Sequence, residues 1–491
     1  MPIILFVTLL LISIFLIKYA IKLRNKRLYE LLEQFPSKPT YPLIGNFLML
    51  RVPPKEILGV LENLMESHKR LLFWLGPIPV IFLKKYDDIM AVSTLSQNRD
   101  HTLHFSKEWL GTGLLNANYE EWKKSKRILA PAFNSVMLSR YVDVFQKKAA
   151  TLVDILEPAA DSGEIFNCQD ILMKINIETI AENTAGVLKN SGGEEEKQFA
   201  NAIVKAFQSI MKRARSFWIY PSFTYKMYLL ISRKGNLIKQ FWNFPEKILR
   251  EELKKGSFED DSSKTIVSLL VRGSHEEEQH FTEARMRDEL LQKMVAASET
   301  TSINVGFTLL MLAMHQDIQQ KVYEEISEIF KDNDTLTVDH LLHQLKYLEQ
   351  CIKETSRKYT HVVVTTRRTH KECILKDNTI IPANIAVMSI IHIANQDPEL
   401  YKNPHKWDPE HFSDEAVKNR PKNSFMSFGC GPRSCIGERY AIMSIKTQIV
   451  YVIHKYHLST NIKELTRAHL TTHLGIGSKI GYPIQFIKRV S

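Results

Sequence analysis

From Thr282 to Met314 the chain carries apolar residues at helical spacing, with Leu290, Leu291, Met294, Val295, Phe307, Leu310 and Met311 as the spine. That is long for a helix in a globular protein, so the segment is expected to cross the centre of the molecule. The stretch AASETTS, Ala296 to Ser302, interrupts this apolar pattern with hydroxyls and the carboxylate of Glu299 among small side chains. Buried hydroxyls and carboxylates cost free energy unless they are satisfied. Small residues let a flat group approach the backbone, and Thr300 beside Glu299 can pass protons to it. The rival reading is a threonine that bonds back to the preceding turn and bends the helix, with no chemistry at all.

A chain of 491 residues, 44% hydrophobic and 24% charged, is ordinary globular material, long enough for one large body with a deep core. The net charge of +11 is spread along the chain without a nucleic-acid signature. It points to an acidic protein partner or anionic lipid rather than to nucleic acid. The five cysteines, Cys168, Cys351, Cys373, Cys430 and Cys435, form no C-x-x-C pair and read as reduced thiols.

Residues 1–22 read as a membrane anchor: Ile3 to Ile17 is apolar but for Thr8 and Ser13. Lys18, Lys22, Arg24, Lys26 and Arg27 follow it and no basic residue precedes it, which sets the remainder in the cytosol. A cleaved signal peptide fits less well, lacking a basic start and a small-residue cleavage site. Residues 23–46 form a basic, proline-rich linker in which Pro36, Pro39 and Pro42 exclude a helix, and residues 47–491 form the body. Within that body, LLFWLGPIPVIFLKK predicts two strands about a Gly76-Pro77 turn, and helical periodicity dominates from there to about residue 355. Polar stretches at 191–197, 255–264 and 272–280 read as surface joints between helices.

Two further signals are weak on their own. Glu354 and Arg357 stand one helical turn apart and can pair; Trp122 and Lys126 put an aromatic and a cation on one face, suited to a carboxylate of a large cofactor or simply to a snorkelling lysine. The loop FGCGPRSCIGERY, Phe428 to Tyr440, is stronger. Its glycines permit close backbone approach, Pro432 fixes the path, and the helical sequence that follows puts Cys435 near a helix N-terminus, where a thiolate is favoured. It is neither a phosphate-binding nor a dinucleotide loop, and a zinc site lacks its further ligands, because His469 and His473 have no accompanying glutamate and fall in a strand-like region. A reactive cysteine nucleophile stays open, although no histidine partner is evident.

These residues resemble the cytochromes P-450, the haem-thiolate monooxygenases. Phe428, Gly431, Arg433, Cys435 and Gly437 reproduce the signature F-x-x-G-x-R-x-C-x-G, and Trp122, the 296–301 patch and the Glu354/Arg357 pair follow the family's order. Phrases such as LAPAF and QLKYLEQCIKE resemble the microsomal branch of fatty-acid omega-hydroxylases and arthropod detoxification enzymes. The resemblance implies a mainly α fold with small β-sheets behind an N-terminal anchor. It implies haem b with Cys435 as axial thiolate, Thr300 and Glu299 as proton relay, and Trp122, Lys126, Arg367 and Arg433 toward the haem propionates. Glu354 and Arg357 would brace the fold, joined by His411. Electrons would come from NADPH through a flavoprotein reductase, with cytochrome b5 as a second candidate donor, at the cytosolic face of the endoplasmic reticulum. The docking face would include Lys123, Lys124, Lys422 and Arg439. A haem-thiolate isomerase or dehydratase that needs no reductase, and a low-turnover ligand-binding protein, are the alternatives.

The chain departs from the pattern at several positions. Lys126 replaces an arginine, with Arg127 next to it; Ala297 replaces a glycine and narrows the groove; and His411 replaces an arginine, an exchange expected to loosen the Glu354/Arg357 bridge and make it pH-dependent. Thr360 and His361 stand in place of two prolines, and Ala296 excludes the covalent haem ester that a glutamate forms there in some relatives.

Overall fold

The computed structural model describes residues 20–100, 105–185, 193–255, 265–276, 281–331 and 335–489, with Leu5, Leu9, Ser13 and Leu16. The expected anchor therefore lies almost wholly outside the described residues. Among the described residues no helix is long and apolar enough to cross a membrane.

Helices dominate, as expected. Five of them position the site: α1 (Tyr119–Leu129), α2 (Glu194–Ala214), α3 (Glu283–Met314), α4 (Lys346–Lys358) and α5 (Glu438–Lys455). The long apolar segment is α3, and Thr282 caps it by accepting from the Arg285 amide at 3.3 Å. All seven spine residues are buried. The polar patch does not break it: Ser298, Thr300 and Ser302 each donate their hydroxyl to the carbonyl four residues back, at 2.6–2.7 Å. Three polar side chains near the start of α3 bond the loop that crosses it. Glu289 accepts from the Leu114 amide, Gln292 accepts from the Leu115 amide and donates to the Leu110 carbonyl, and Asp288 accepts from the Thr112 amide. Gly111 (φ 61°) is required in that crossing, because a Cβ there would stand 2.2 Å from the Asp288 carboxyl.

The predicted hairpin is β1 (Arg70–Leu75) and β2 (Ile78–Leu83), antiparallel with Leu75 opposite Ile78. With β3 (Val364–Arg368) and β4 (Ala386–Ile390) they form a sheet in the order β1-β2-β4-β3, in which β2 and β4 run parallel. The proline-rich linker does not stand free of this sheet. The Leu72 amide donates to Pro36, and Asn46 donates to Pro39 while accepting from the Trp74 amide. A small hairpin of β5 (Leu470–Thr472) and β6 (Ile476–Ser478) lies near the C-terminus. His469 closes the turn before β5 and His473 follows it, so neither histidine is in a strand. Of the three polar joints, 255–264 lies almost wholly and the other two partly outside the described residues; helices flank each of them.

Candidate functional site

The loop before α5 is held in shape from within. The Cys435 amide donates to the Phe428 carbonyl at 2.8 Å and the Ser434 amide to that of Gly431 at 3.0 Å. Gly429 and Gly431 take φ of 78° and 71°, and a Cβ on Gly431 would stand 2.9 Å from the Ser93 carbonyl oxygen. Helix α5 begins three residues after Cys435, and the Gly437 amide donates to its sulfur. Cys435 is solvent-accessible, yet burial pushes its thiol up to about 11. Both hold for an atom on the wall of an enclosed cleft, where a bound cation would stabilise the thiolate. Cys430 is buried instead.

The four side chains expected toward the propionates sit in different surroundings. Arg433, buried, donates to the carbonyls of Gln97, Leu114 and Ala117 at 3.0, 3.4 and 2.6 Å, so it pins the same loop that α3 pins from the other side. Lys126 donates to the Pro432 carbonyl at 3.1 Å and stacks at 4.9 Å over Trp122; Arg433 stacks on that ring too, at 4.6 Å. The Trp122 indole N–H has no hydrogen-bond partner among the described residues. Arg367 donates one N–H to Thr366 and leaves its buried Nε unpartnered. Arg127, next to Lys126 in the chain, is exposed.

Sequence reading missed Arg99. It sits close enough to Arg367 and Arg433 for their charges, after burial, to lower its pKa, and its Nε is also buried without a partner. A guanidinium does not shed its proton in a protein. Three of them together, with no carboxylate bonded to any among the described residues, leave a site that calls for an anion carrying more than one charge. The donor set fits the two propionates of a haem, and the cleft wall at Cys435 fits its iron. No sequence signal marked Arg99, because it is brought in by packing rather than by a motif.

On α3, burial pushes the Glu299 carboxyl up to about 8, so it carries a proton through neutral pH. Its neighbour Thr300 spends its hydroxyl hydrogen on Ala296 and keeps its lone pairs. Behind the site, Glu354 and Arg357, both 0% exposed, pair through two 2.7 Å bonds. Arg357 also donates to the carbonyls of Asn395 and Lys406, and Glu354 accepts from the Asp408 amide. His411 completes the bridge: Nδ1 lies 3.1 Å from Glu354 Oε1 and Nε2 2.5 Å from the Lys402 carbonyl. Both partners are acceptors, so the ring serves both only when each nitrogen carries a hydrogen.

The chain belongs to the cytochrome P450 family, whose family model matches residues 35–480. It is a monooxygenase that binds haem b through a cysteine thiolate and works with a redox partner on an apolar substrate. Among curated relatives it is 25% identical to cytochrome P450 4V2 of Pongo abelii over 86% of this chain and 84% of that protein. It is 26% identical to cytochrome P450 4c21 of Blattella germanica, covering 89% and 90%. Identity to cytochrome P450 4d1 of Drosophila simulans is 28%, again over 89% and 90%.

Proposed function

We propose that Cys435 is the axial ligand, that Arg99 and Arg367 with Trp122 hold the propionates, and that the enzyme hydroxylates a long apolar substrate, a fatty acid or similar lipid. The observation that carries this is the pairing of an accessible thiol, under the Gly437 amide, with an uncompensated group of buried guanidiniums. When bound, the haem supplies the oxygen-activating chemistry, which the thiolate favours by donating electron density. The chain's own residues do the rest. The Gly437 N–H tempers the basicity of the sulfur. Glu299, protonated at neutral pH, would hold a proton one residue before Thr300, whose oxygen keeps its lone pairs for a relay. Ala296 and Ala297 leave room for a flat group against α3, less at Ala297 than a glycine would leave.

Electrons would come from an NADPH-dependent flavoprotein reductase, with cytochrome b5 as a second donor, docking on the face that exposes Lys123, Lys422 and Arg439; Lys124 is exposed there too, though engaged. Residues 47–491 would form the haem-binding body behind the anchor (1–22) and linker (23–46), on the cytosolic face of the endoplasmic reticulum. What supports a membrane location is the helix Ser222–Ile231, which exposes Phe223 (76%), Leu230 (73%) and Ile231 (78%), with exposed Lys226 and Arg233 at its rim.

The reduced, carbon-monoxide-bound protein tests the ligand. A strongly red-shifted Soret band is expected, abolished by Cys435→Ser and retained in Cys430→Ser. The reverse pattern would transfer the ligand role to Cys430.

A further inference from the structure

Thr360 and His361, the residues in place of the two prolines, both enter a buried hydrogen-bond network that joins α3, α4 and the cysteine loop, which a proline side chain could not do. Asn304 of α3, one turn past Thr300, is 0% exposed. Its amide nitrogen donates to Ser356 Oγ at 2.5 Å and meets His361 Nε2 at 3.0 Å, while its oxygen accepts from Thr308 Oγ1 at 3.1 Å. The roles in these bonds are fixed. Ser356 spends its hydrogen on the Ile352 carbonyl at 2.9 Å, so it accepts from Asn304, and His361 Nε2 accepts the second amide hydrogen. That requires a neutral ring with its hydrogen on Nδ1, and burial, which lowers the His361 pKa to about 4, keeps the ring neutral. Nδ1 is itself buried and closes no well-formed bond, although the Tyr359 carbonyl is near enough to act on the ring. Ser356 also carries the network to the cysteine loop. Its carbonyl accepts from the hydroxyl of Ser427 at 2.8 Å, and the next residue, Phe428, accepts from the Cys435 amide. Asn395 locks this side: Nδ2 donates to Ser427 Oγ at 3.0 Å and to Thr360 Oγ1 at 3.3 Å, and Oδ1 accepts from the Met426 amide at 3.3 Å. Thr360 in turn donates to the Arg357 carbonyl at 3.0 Å.

We propose that His361 and Asn304 are positioning residues that fix the spacing between α3 and the cysteine loop, and with it the height of the cleft that takes the haem and a distal ligand. Ala296 is exposed although it lies midway along the buried α3, and Cys435 is exposed in its loop, so the two face the cleft from opposite elements. Ser356 is bonded to both elements at once, through Oγ to Asn304 and through its carbonyl to Ser427. A displacement of either must therefore stretch a bond at the same residue. His361 and Thr360 close this junction from the segment leading into β3, the strand that carries Arg367 of the guanidinium group. Asn304, Ser356, Thr360 and Asn395 are all 0% exposed. Water does not replace a bond lost there, so the network holds or gives way as a unit. Ala297 already takes room from the cleft, and a rigid junction leaves a bulky distal ligand no way to recover it. This inference rests on the reading of Cys435 as the axial ligand.

The test titrates the full-length holoenzyme with imidazole and with 4-phenylimidazole, two ligands with the same ligating ring and different bulk, and reads the haem absorbance change. In His361→Ala the ratio of the two dissociation constants is expected to move about five- to tenfold in favour of the bulky ligand, the worth of one neutral hydrogen bond, with imidazole itself unchanged. His361→Gln returns a neutral acceptor near the place of Nε2 and should keep the wild-type ratio, whereas His361→Pro should behave as His361→Ala. Ser427→Ala, acting from the side of the cysteine loop, should move the ratio in the same direction, and combined with His361→Ala it should add nothing to the larger single effect. Should His361→Ala lose the red-shifted carbon-monoxide band, Thr308→Val removes the hydroxyl that orients Asn304 at nearly constant shape and is read in its place. An unchanged ratio overturns the inference, and so does equal weakening of both ligands, which is what general loosening of the fold would give. A ratio in His361→Gln equal to that of His361→Ala, or additive effects of His361→Ala and Ser427→Ala, overturns it as well; in each case the Cys435 reading stands. If the carbon-monoxide band follows Cys430 and not Cys435, that reading falls and the positioning role falls with it.

Discussion

His411 offers a sharp test of how the Glu354/Arg357 bridge is built, because its two neighbours respond differently to its loss. In His411→Ala two hydrogen bonds disappear, one of them to the carboxylate. A bond to a charged group contributes about 1.5–3 kcal/mol and a neutral one about 1 kcal/mol. The Lys402 end is exposed, and water replaces it there. Glu354 is not stranded, since it keeps both Arg357 bonds and the Asp408 amide. The net cost should therefore be about 1.5–3 kcal/mol. Glu354→Ala is worse in kind: it leaves the guanidinium of Arg357, 0% exposed, without a carboxylate, at about 3–5 kcal/mol. His411→Arg returns a cation to the same carboxylate and should lose the least. Urea unfolding of the holoenzyme, followed by tryptophan fluorescence and by retention of the carbon-monoxide band, ranks the three. Trp407, whose indole N–H bonds Thr355 at 3.1 Å on the same helix as the pair, gives the fluorescence local meaning. An unchanged midpoint in His411→Ala would show that the ring is a bystander. A loss equal to that of Glu354→Ala would show that the carboxylate depends on the ring and not on Arg357.

Three more outcomes follow from particular contacts. Arg99→Ala and Arg367→Ala should each speed haem loss to apomyoglobin, and the double variant more than either, whereas Arg127→Ala should not; equal rates throughout would remove the guanidiniums from the cofactor site. Because burial raises the folded-state pKa of Glu299 to about 8, above the unfolded carboxyl value, its stabilising state is the protonated one. Its contribution is thus complete below about pH 4.3 and lost as pH rises through about 8; turnover should fall across the same upper limb, and Glu299→Gln should flatten both profiles. Gly306→Ala puts a Cβ 2.2 Å from the buried Tyr482 ring and should cost at least about 1–3 kcal/mol, with partial recovery in the Gly306→Ala, Tyr482→Leu pair seen as a restored unfolding midpoint.

What the sequence settled was local. The 3.6-residue period set α3 to within a residue of its observed start, and the Gly76-Pro77 turn marked the β1–β2 hairpin, because backbone hydrogen bonds and amphipathic spacing act between near neighbours. The shape of the cysteine loop was legible for the same reason, since Phe428 and Cys435 bond across seven residues. Partners far apart in the chain were not. The pattern placed Lys126 and Arg433 toward an anion and said nothing of the backbone carbonyls to which both also donate, of Pro432 and of the 97–117 segment. The guanidiniums left without partners include Arg99, which belongs to no motif. His411 looked like a weakened support, and packing brought both its nitrogens onto acceptors. Which charges face one another depends on how segments hundreds of residues apart close around α3, and that is decided by burial and shape across the whole core, to which no short stretch of sequence has access.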